Sequence, residues 1–351
     1  AELITVRGIG PWTAQMYLMS QLGRHDVWPV LDFGVRSGWS QLHGLTTLIS
    51  SKELAGAANH LAPYRSSVAW YCWQAVDLGI TGIRLTGGEP LLRGDAVEVV
   101  RLITSLPKPP EVSVTTNGLR LSQLAAPLRD AGLTRVNVSL DTLDRQRFLE
   151  LTKRDRFDDV IAGIKAAQQA GLSPVKVNSV LMRGVNEDEA VPLLRRALDE
   201  GWRLRFIEQM PLDAGGTWDR KSMITADQIH EMLSEVFTLT EKPGRGSAPA
   251  EEFYVNGGPE TVGIIASVSK PFCAACDRLR LTADGQVRNC LFARDELDLL
   301  KVVRDESLTS GEIRAEIERR LRKVIMDKLP GHGINDPLFI QPLRPMSAIG
   351  G

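Results

Sequence analysis

Ile83-Arg84-Leu85-Thr86-Gly87-Gly88-Glu89-Pro90 is a short β-branched run that ends in paired glycines and a carboxylate. Four similar runs follow, and amphipathic stretches near 94–105, 121–131, 157–170 and 187–199 separate them. The five predicted strands are Ile83–Gly87, Val112–Asn117, Arg135–Asp141, Val175–Met182 and Leu204–Met210. Strands that alternate with helices in this way form βαβ units and a parallel sheet. The sequence therefore predicts an α/β fold with an open or partial (β/α) barrel.

Polar groups stand where these predicted strands end. Gly87-Gly88-Glu89 ends the first, Thr115-Thr116-Asn117-Gly118 the second, and Ser139-Leu140-Asp141 the third. Each group alone would be a turn or a helix cap. Because the carboxyl ends of parallel strands meet at one edge of a barrel, the groups together predict a binding face there.

Composition excludes several classes of protein. The 351 residues are 43% hydrophobic and 24% charged, with a formal net charge of −1. That balance argues against a broad nucleic-acid surface, and collagen-like, coiled-coil and disordered chains are excluded. No apolar run approaches the roughly 20 residues that span a bilayer. We therefore expect a cytoplasmic protein with no membrane partner.

Three of the four cysteines form one cluster late in the chain. Cys273 and Cys276 make a C-x2-C pair, and Cys290 follows after thirteen intervening residues. An intracellular chain keeps its thiols reduced, so the cluster predicts a metal or iron–sulfur site. Structural zinc takes four ligands and only three cysteines are supplied, yet the spacing alone leaves zinc open. Cys72 lies in an apolar helical run and is predicted to be a core residue.

Two arginines follow this cluster. Arg278 and Arg280 alternate on a predicted strand, so we expect both to point to one face beside the cysteines. Guanidinium groups bind phosphate oxygens bidentately, which suits a triphosphate. On the residues alone, a solvated strand face explains the pair equally well.

The motifs of residues 79–351 resemble those of the MoaA family, the radical S-adenosylmethionine (SAM) GTP 3′,8-cyclases of molybdenum cofactor biosynthesis. The resemblance is carried by GGEP, the TTNG strand end, VSLDTLD, VKVNSVLMRGVN at 175–186, LRFIEQM at 204–210, the segment from Phe272 to Thr282 and the closing MSAIGG. In that family a 5′-deoxyadenosyl radical starts the cyclisation of GTP to 3′,8-cyclo-7,8-dihydro-GTP. The resemblance implies a lyase of this kind.

The resemblance also implies a set of site residues and partners. A C-terminal [4Fe-4S] cluster would be held by Cys273, Cys276 and Cys290, with one iron open toward guanine. GTP would contact Arg84, Thr115, Lys176, Arg278 and Arg280, and SAM would contact Gly88, Ser139 and Met210. The tail Gly350-Gly351 would reach into the active site. The partners would be GTP, SAM, a reductant and the next enzyme of the molybdopterin pathway. The resemblance is also compatible with a homodimer.

One family feature is missing from these residues. The family binds SAM on a second [4Fe-4S] cluster, whose ligands form a C-x3-C-x2-C loop after the first barrel strand. With four cysteines at positions 72, 273, 276 and 290, this sequence has no such triplet. We hypothesise that the chain keeps the GTP half-site but has impaired radical initiation. A non-catalytic GTP-binding remnant is the corresponding alternative.

Residues 1–75 resemble a different family, the helix-hairpin-helix DNA-3-methyladenine glycosylases. The matching segments are Val6–Ala14, Asp26–Arg36 and Pro63–Trp73. The resemblance implies that Gly8 and Gly10 present backbone N–H groups to a DNA phosphate and that Asp32 is the catalytic aspartate. A turn and a helix cap explain these residues equally simply. This segment has five Lys or Arg residues and four Asp or Glu residues. Its excess of positive charge is too small to favour DNA binding.

These observations predict three regions. A small, incomplete all-α helix-hairpin-helix segment covers 1–76, a partial radical SAM (β/α) barrel without its first unit covers 77–240, and a C-terminal cluster- and GTP-binding extension covers 241–351. Within the extension the pattern predicts strands at 252–256, 262–266 and 278–290 and a helix at 309–328. We expect a join near Gln74–Leu78 in a chimeric or truncated chain, which begins at Ala1. Base excision by the first segment is the rival function.

Overall fold

The structure is a computed structural model that describes the chain almost continuously from residue 80 and in short pieces before it. The described residues are 14–15, 18, 26–31, 35–36, 39–40, 47, 49–57, 80–106, 108–212, 218–329, 331–336, 339–342 and 344–350. In the early pieces, helix α1 (Ser51–Ala57) buries Leu54, and Trp28 packs edge-to-face on Trp39 with ring centroids 5.7 Å apart. Gly8, Gly10, Asp32 and Cys72 lie outside the described residues.

An eight-stranded sheet forms the centre of the described fold. Its strands are β1 (Gly82–Leu85), β2 (Glu111–Thr116), β3 (Arg135–Ser139), β4 (Val175–Val180), β5 (Arg203–Ile207), β6 (Leu239–Glu241), β7 (Glu251–Val255) and β8 (Thr261–Ile265). They lie in the order β1-β2-β3-β4-β5-β8-β7-β6. β1 to β5 and β8 are parallel, whereas β7 and β6 are antiparallel to their neighbours. The predicted α/β fold with a parallel sheet is confirmed.

The parallel strands are shorter than predicted at their carboxyl ends. The sequence pattern carried the third strand to Asp141 and the fifth to Met210, but β3 ends at Ser139 and β5 at Ile207. The polar residues beyond these ends make hydrogen bonds outside the ladder. Asp141 Oδ1 accepts from Val180 N at 2.8 Å, and the Glu208 carboxylate binds loop amides.

Helices cover the apolar face of the sheet. They are α2 (Ala96–Thr104), α3 (Leu121–Asp130), α4 (Arg145–Thr152), α5 (Phe157–Gln169), α6 (Ala190–Glu200) and α7 (Ala226–Ser234). Helix α7 begins with a capping box in which the Thr225 and Gln228 side chains bind each other's backbone N–H groups. Sequence patterning missed α4, which buries only Phe148 and so lacks an apolar period.

The two faces of the sheet differ in polarity. Val114, Val136, Val177 and Phe206 point to the helices and are fully buried with them in the main core. Side chains alternate along a strand, so the residues between them point to the opposite face. That second face, described below, is polar and positively charged.

A smaller C-terminal part packs beside the sheet. It contains the antiparallel strands β9 (Arg280–Leu281), β10 (Gln286–Arg288) and β11 (Leu297–Asp298), followed by helices α8 (Leu300–Val303), α9 (Ser310–Met326) and α10 (Met346–Ile349). The prediction of one strand over 278–290 is wrong, because a turn with Gly285 at φ 78° separates β9 from β10. The predicted helix at 309–328 is α9, whose capping box joins Thr309 and Glu312.

The predicted boundary at residue 240 divides one continuous sheet. β7 and β8 come after that boundary, yet β8 pairs directly with β5. The three-region division stays a prediction. Among the described residues, no helix is both long and apolar enough to cross a membrane.

Candidate nucleotide and cluster site

The polar face of the sheet gathers cations from successive strands. Strand pairing places Arg84 beside Ser113, Thr115 beside Asn137, and Asn137 beside Lys176. Residues paired in this way share a face. On β1 to β8 the charged side chains of this face are five cations against two carboxylates: Arg84, Arg135, Lys176, Arg203, Arg205, Glu111 and Glu252.

Burial and neighbouring like charges lower the pKa values of Lys176 and Arg205 on this face. Burial first, and then the charge of Arg205, lowers the pKa of Lys176 to about 8. Burial and the charge of Arg84 lower the pKa of Arg205 to about 10. Arg205 donates to neutral amides, with Nη2 2.7 Å from Asn137 Oδ1 and Nε 3.0 Å from Asn178 Oδ1. A cationic face of this kind attracts a ligand of high negative charge.

Arg84 connects this face to the C-terminal part. The packing around the Arg84 guanidinium, followed by the charges of Arg135 and Arg278, lowers its pKa. Burial, followed by the charges of Arg278 and Arg84, lowers the pKa of Arg280 to about 10. The structure therefore brings together three arginines that are up to 196 residues apart in the chain.

Arg278 and Arg280 have different partners, which corrects the expectation that they alternate on one strand. Only Arg280 belongs to β9, and Arg278 precedes it. Arg278 donates to the Cys276 sulfur, with Nη2 at 3.3 Å and Nε at 3.4 Å. Arg280 donates to the carbonyl of Gly350, in the last turn of the chain.

The tail also approaches the first strand. Gly350 has a φ of 82°, and a Cβ at this position would collide with the Thr86 hydroxyl just after β1. Only glycine fits such a close approach at positive φ without strain. Gly350 thus lies between Arg280 and Thr86, whereas Gly351 lies outside the described residues.

The three cysteines of the cluster are free thiols, all half-buried. Cys273 opens the 3₁₀ turn Cys273–Ala275, Cys276 follows that turn, and Cys290 comes two residues after β10. Burial, followed by the charge of Cys290, raises the pKa of Cys273. Burial opposes ionisation of Cys276 too, but hydrogen bonds from the Arg278 backbone and side chain outweigh it and lower the pKa of that thiol. Cys290 and Cys276 therefore lie close enough to Cys273 for their charges to affect its pKa.

The donor set is compatible with a polynuclear cluster. Within the described part of the chain, no group of three His, Cys, Asp or Glu side chains is arranged to hold one metal ion. A mononuclear zinc site needs ligands that converge on one point at about 2.0–2.3 Å. In an iron–sulfur cluster, by contrast, thiolates bind separate iron atoms. Three free thiols with Arg278 beside one sulfur are compatible with that second arrangement.

The residues implied for SAM lie at strand ends. Gly88 and Ser139 are exposed, and Ser139 ends β3 on the cationic face. Met210 packs in a second apolar cluster whose members include Cys290, Met346 and Ile349. Glu89, at the end of the first motif, is fully engaged: its carboxylate accepts from Thr116 Oγ1 at 2.7 Å and from Asn117 N at 2.7 Å.

Sequence reasoning missed Glu208. This fully buried carboxylate accepts from Ala226 N at 2.7 Å, Val268 N at 2.7 Å and Ser269 N at 2.8 Å, and also from the Ser269 hydroxyl. It thereby joins β5, the start of α7 and the loop that leads to Cys273. A buried carboxylate in LRFIEQM was the available signal, because an isolated charge in an apolar run needs partners.

We expect Glu208→Gln to lower the free energy of unfolding by about 2–4 kcal/mol, because an amide NH2 would face backbone donors and leave them unsatisfied. Urea denaturation followed by circular dichroism measures the change. Glu231→Gln, at an exposed position of α7, is the matched control and should change the value by less than about 0.5 kcal/mol. Equal destabilisation by both variants would show that the Glu208 carboxylate does not hold these elements together.

Two family profiles match consecutive parts of the chain. Residues 71–197 match the radical SAM superfamily, and residues 202–334 match the family described as Molybdenum Cofactor Synthesis C. A protein of Streptomyces coelicolor named GTP 3′,8-cyclase is 54% identical over 276 residues, which are 78% of this chain and 80% of that protein. The chain belongs to the GTP 3′,8-cyclase family. A second family member, from Mycolicibacterium smegmatis, is 53% identical over 279 residues, 78% of this chain and 76% of its own length.

The resemblance of residues 79–351 to GTP 3′,8-cyclases is thus confirmed, whereas the glycosylase alternative gains no support. Both profiles begin at or after residue 71. Among solved structures, a radical SAM methyltransferase from Sphaerobacter thermophilus aligns with 64% of this chain and 61% of its own, at 19% identity and a TM-score of 0.39. The fold assignment rests on the strand order given above.

Proposed function

We propose that this chain binds GTP between the cationic face of the sheet and the cysteine-bearing part, as a GTP 3′,8-cyclase of molybdenum cofactor biosynthesis. The observation that carries the proposal is the meeting of Arg84, Arg278 and Arg280 beside three free thiols, where burial and the charge of Arg278 lower the pKa of both Arg84 and Arg280. Clustered guanidinium groups are suited to phosphate oxygens, which they bind bidentately. The 51–54% identity with proteins named GTP 3′,8-cyclase supports GTP as the nucleotide.

Some of the proposed GTP contacts neutralise the charge of the triphosphate, and others position the nucleotide. Arg84, Lys176 and Arg280 would neutralise the triphosphate, and Arg278 would act where the nucleotide meets the cysteines. Thr115 is half-buried on the same face, one strand from Arg84, and its hydroxyl can position the nucleotide by hydrogen bonding.

Cys273, Cys276 and Cys290 would hold one [4Fe-4S] cluster. Three thiolates leave one iron of such a cluster open, so the bound group would supply a Lewis-acidic position toward the base of the nucleotide. The protein's own contribution is to keep the three thiols together and to place Arg278 against the Cys276 sulfur at 3.3 Å.

Gly88, Ser139 and Met210 are the proposed contacts for SAM. A SAM-binding cluster needs a further cysteine triplet, and the only other cysteine of these residues is Cys72. The residues present therefore do not supply ligands for that second cluster, and no step is assigned to it. We also propose three further partners: a reductant, the next enzyme of the pathway and a second copy of the chain.

Calorimetry on the anaerobically iron-reconstituted chain tests the proposal. GTP should bind, and ATP should bind at least about tenfold more weakly, because an open iron and a shaped base site distinguish the purines. Failure to bind GTP, or equal binding of both nucleotides, would overturn the proposed site. Release of 5′-deoxyadenosine from SAM with reductant, measured in parallel, would show that radical initiation persists without a second triplet.

GTP affinity should fall about tenfold between pH 7 and pH 9, because Lys176, with a pKa of about 8, loses its charge over this range. The bound triphosphate favours the charged ammonium, so binding at pH 9 requires proton uptake. Calorimetry in two buffers of different ionisation enthalpy measures that uptake. Lys176→Met should bind GTP more weakly and without this pH step, and retention of the step in the variant would contradict the assignment.

A further inference from the structure

Lys328 lies just after α9 and reaches back to the cysteine cluster. Its half-buried ammonium donates to the carbonyl of Arg278 at 2.6 Å and to the carbonyl of Asn289 at 2.8 Å. Its third contact is the Cys276 sulfur, at 3.7 Å. An ammonium has three N–H donors, and each has a partner here.

These contacts join two separate segments. Arg278 comes two residues after Cys276, and Asn289 comes immediately before Cys290. Asn289 returns the interaction, since its Nδ2 donates to the carbonyl of Asp327 at 3.0 Å. The end of α9 therefore fixes the distance between the C-x2-C turn and the third cysteine.

The charge of Lys328 matters as much as its hydrogen bonds. The carboxyl end of a helix carries a partial negative charge, and Asp327 at that end of α9 accepts from Asn289, next to Cys290. The Lys328 ammonium adds a positive charge beside the Cys276 sulfur. Together with Arg278, it gives the Cys276 sulfur two cationic donors.

We propose that Lys328 is a positioning residue for the C-terminal iron–sulfur cluster and raises its reduction potential. The inference rests on the proposed function, because it takes Cys273, Cys276 and Cys290 as cluster ligands. Reduction adds negative charge to a cluster, and nearby cations and N–H donors to its sulfurs stabilise the reduced form. Lys328 thereby couples the end of α9 to both the assembly and the redox behaviour of the site.

Anaerobic reconstitution of Lys328→Met tests this inference. We expect the variant to lose iron to a chelator about tenfold faster, because charged hydrogen bonds to two cysteine-bearing segments are gone. A dye-mediated redox titration followed by electron paramagnetic resonance should give a lower midpoint potential. Lys328→Arg keeps the charge and should recover most of that potential.

Lys323→Met is the matched control, because Lys323 lies on the same helix in an exposed pair with Asp327. It should leave chelation and potential unchanged. Should the native chain hold no iron, the cluster assignment fails, and hydrogen exchange of the metal-free protein then tests Lys328 by itself. Faster exchange at 273–278 and 286–290 in Lys328→Met than in Lys323→Met supports the positioning role. Equal exchange, or equal chelation and potential, overturns it.

Discussion

Replacing Arg280 with methionine should weaken GTP binding about 100-fold. The guanidinium lies among other arginines, and losing its charged hydrogen bonds to a phosphate costs about 1.5–3 kcal/mol, with a further loss of long-range attraction. Isothermal titration calorimetry on the iron-reconstituted chain measures the dissociation constant. The effect should shrink as salt is added, because screening weakens the lost attraction.

Two further variants separate charge from position in this experiment. Arg294→Met removes an exposed arginine of the loop after Cys290 and should leave affinity within about twofold. Arg280→Lys keeps the charge but cannot bind two oxygens with a planar fork, so we expect an intermediate loss. If Arg280→Met and Arg294→Met bind GTP equally well, Arg280 does not contact the nucleotide.

Replacing Cys290 with serine should remove most of the iron from the reconstituted chain. A [4Fe-4S] site gives about four irons and four sulfides per chain, and a serine hydroxyl is a poor substitute for a thiolate at iron. Metal analysis by mass spectrometry, together with acid-labile sulfide, measures the loss. Cys72→Ser removes the one cysteine outside the cluster and should keep the full iron content.

The same analysis decides between iron and zinc. A native chain that retains one zinc and no sulfide would support the zinc interpretation that spacing alone leaves open. Full iron retention in Cys290→Ser would show that the three cysteines are not the ligand set. Either result would also remove the basis for assigning a cluster role to Arg278.

The sequence was sufficient for the parallel sheet because β-branched runs repeat at βαβ spacing, and β1 to β5 lie where those runs predict. Helix α4 escaped notice because Phe148 alone is buried on it. The different roles of Arg278 and Arg280 depend on their contacts with Cys276 and Gly350. Alternation along one strand could not reveal that arrangement.

Long-range contacts explain the other missed residues. Glu208 meets Ser269, 61 positions away, and Lys328 meets Arg278, 50 positions away. Local patterns carry no information about such partners. A lone buried carboxylate or a lysine at a helix end signals that partners exist, and only the fold shows which ones.

The uneven distribution of charge on the sheet has a consequence for discrimination between ligands. Repulsion of Arg205 by Arg84, and of Lys176 by Arg205, makes the fold less stable than its packing alone would allow. A polyanion relieves that repulsion in proportion to its charge, whereas a nucleoside relieves none of it. We therefore expect triphosphates to bind this face more tightly than mono- and diphosphates, whatever contacts the base makes.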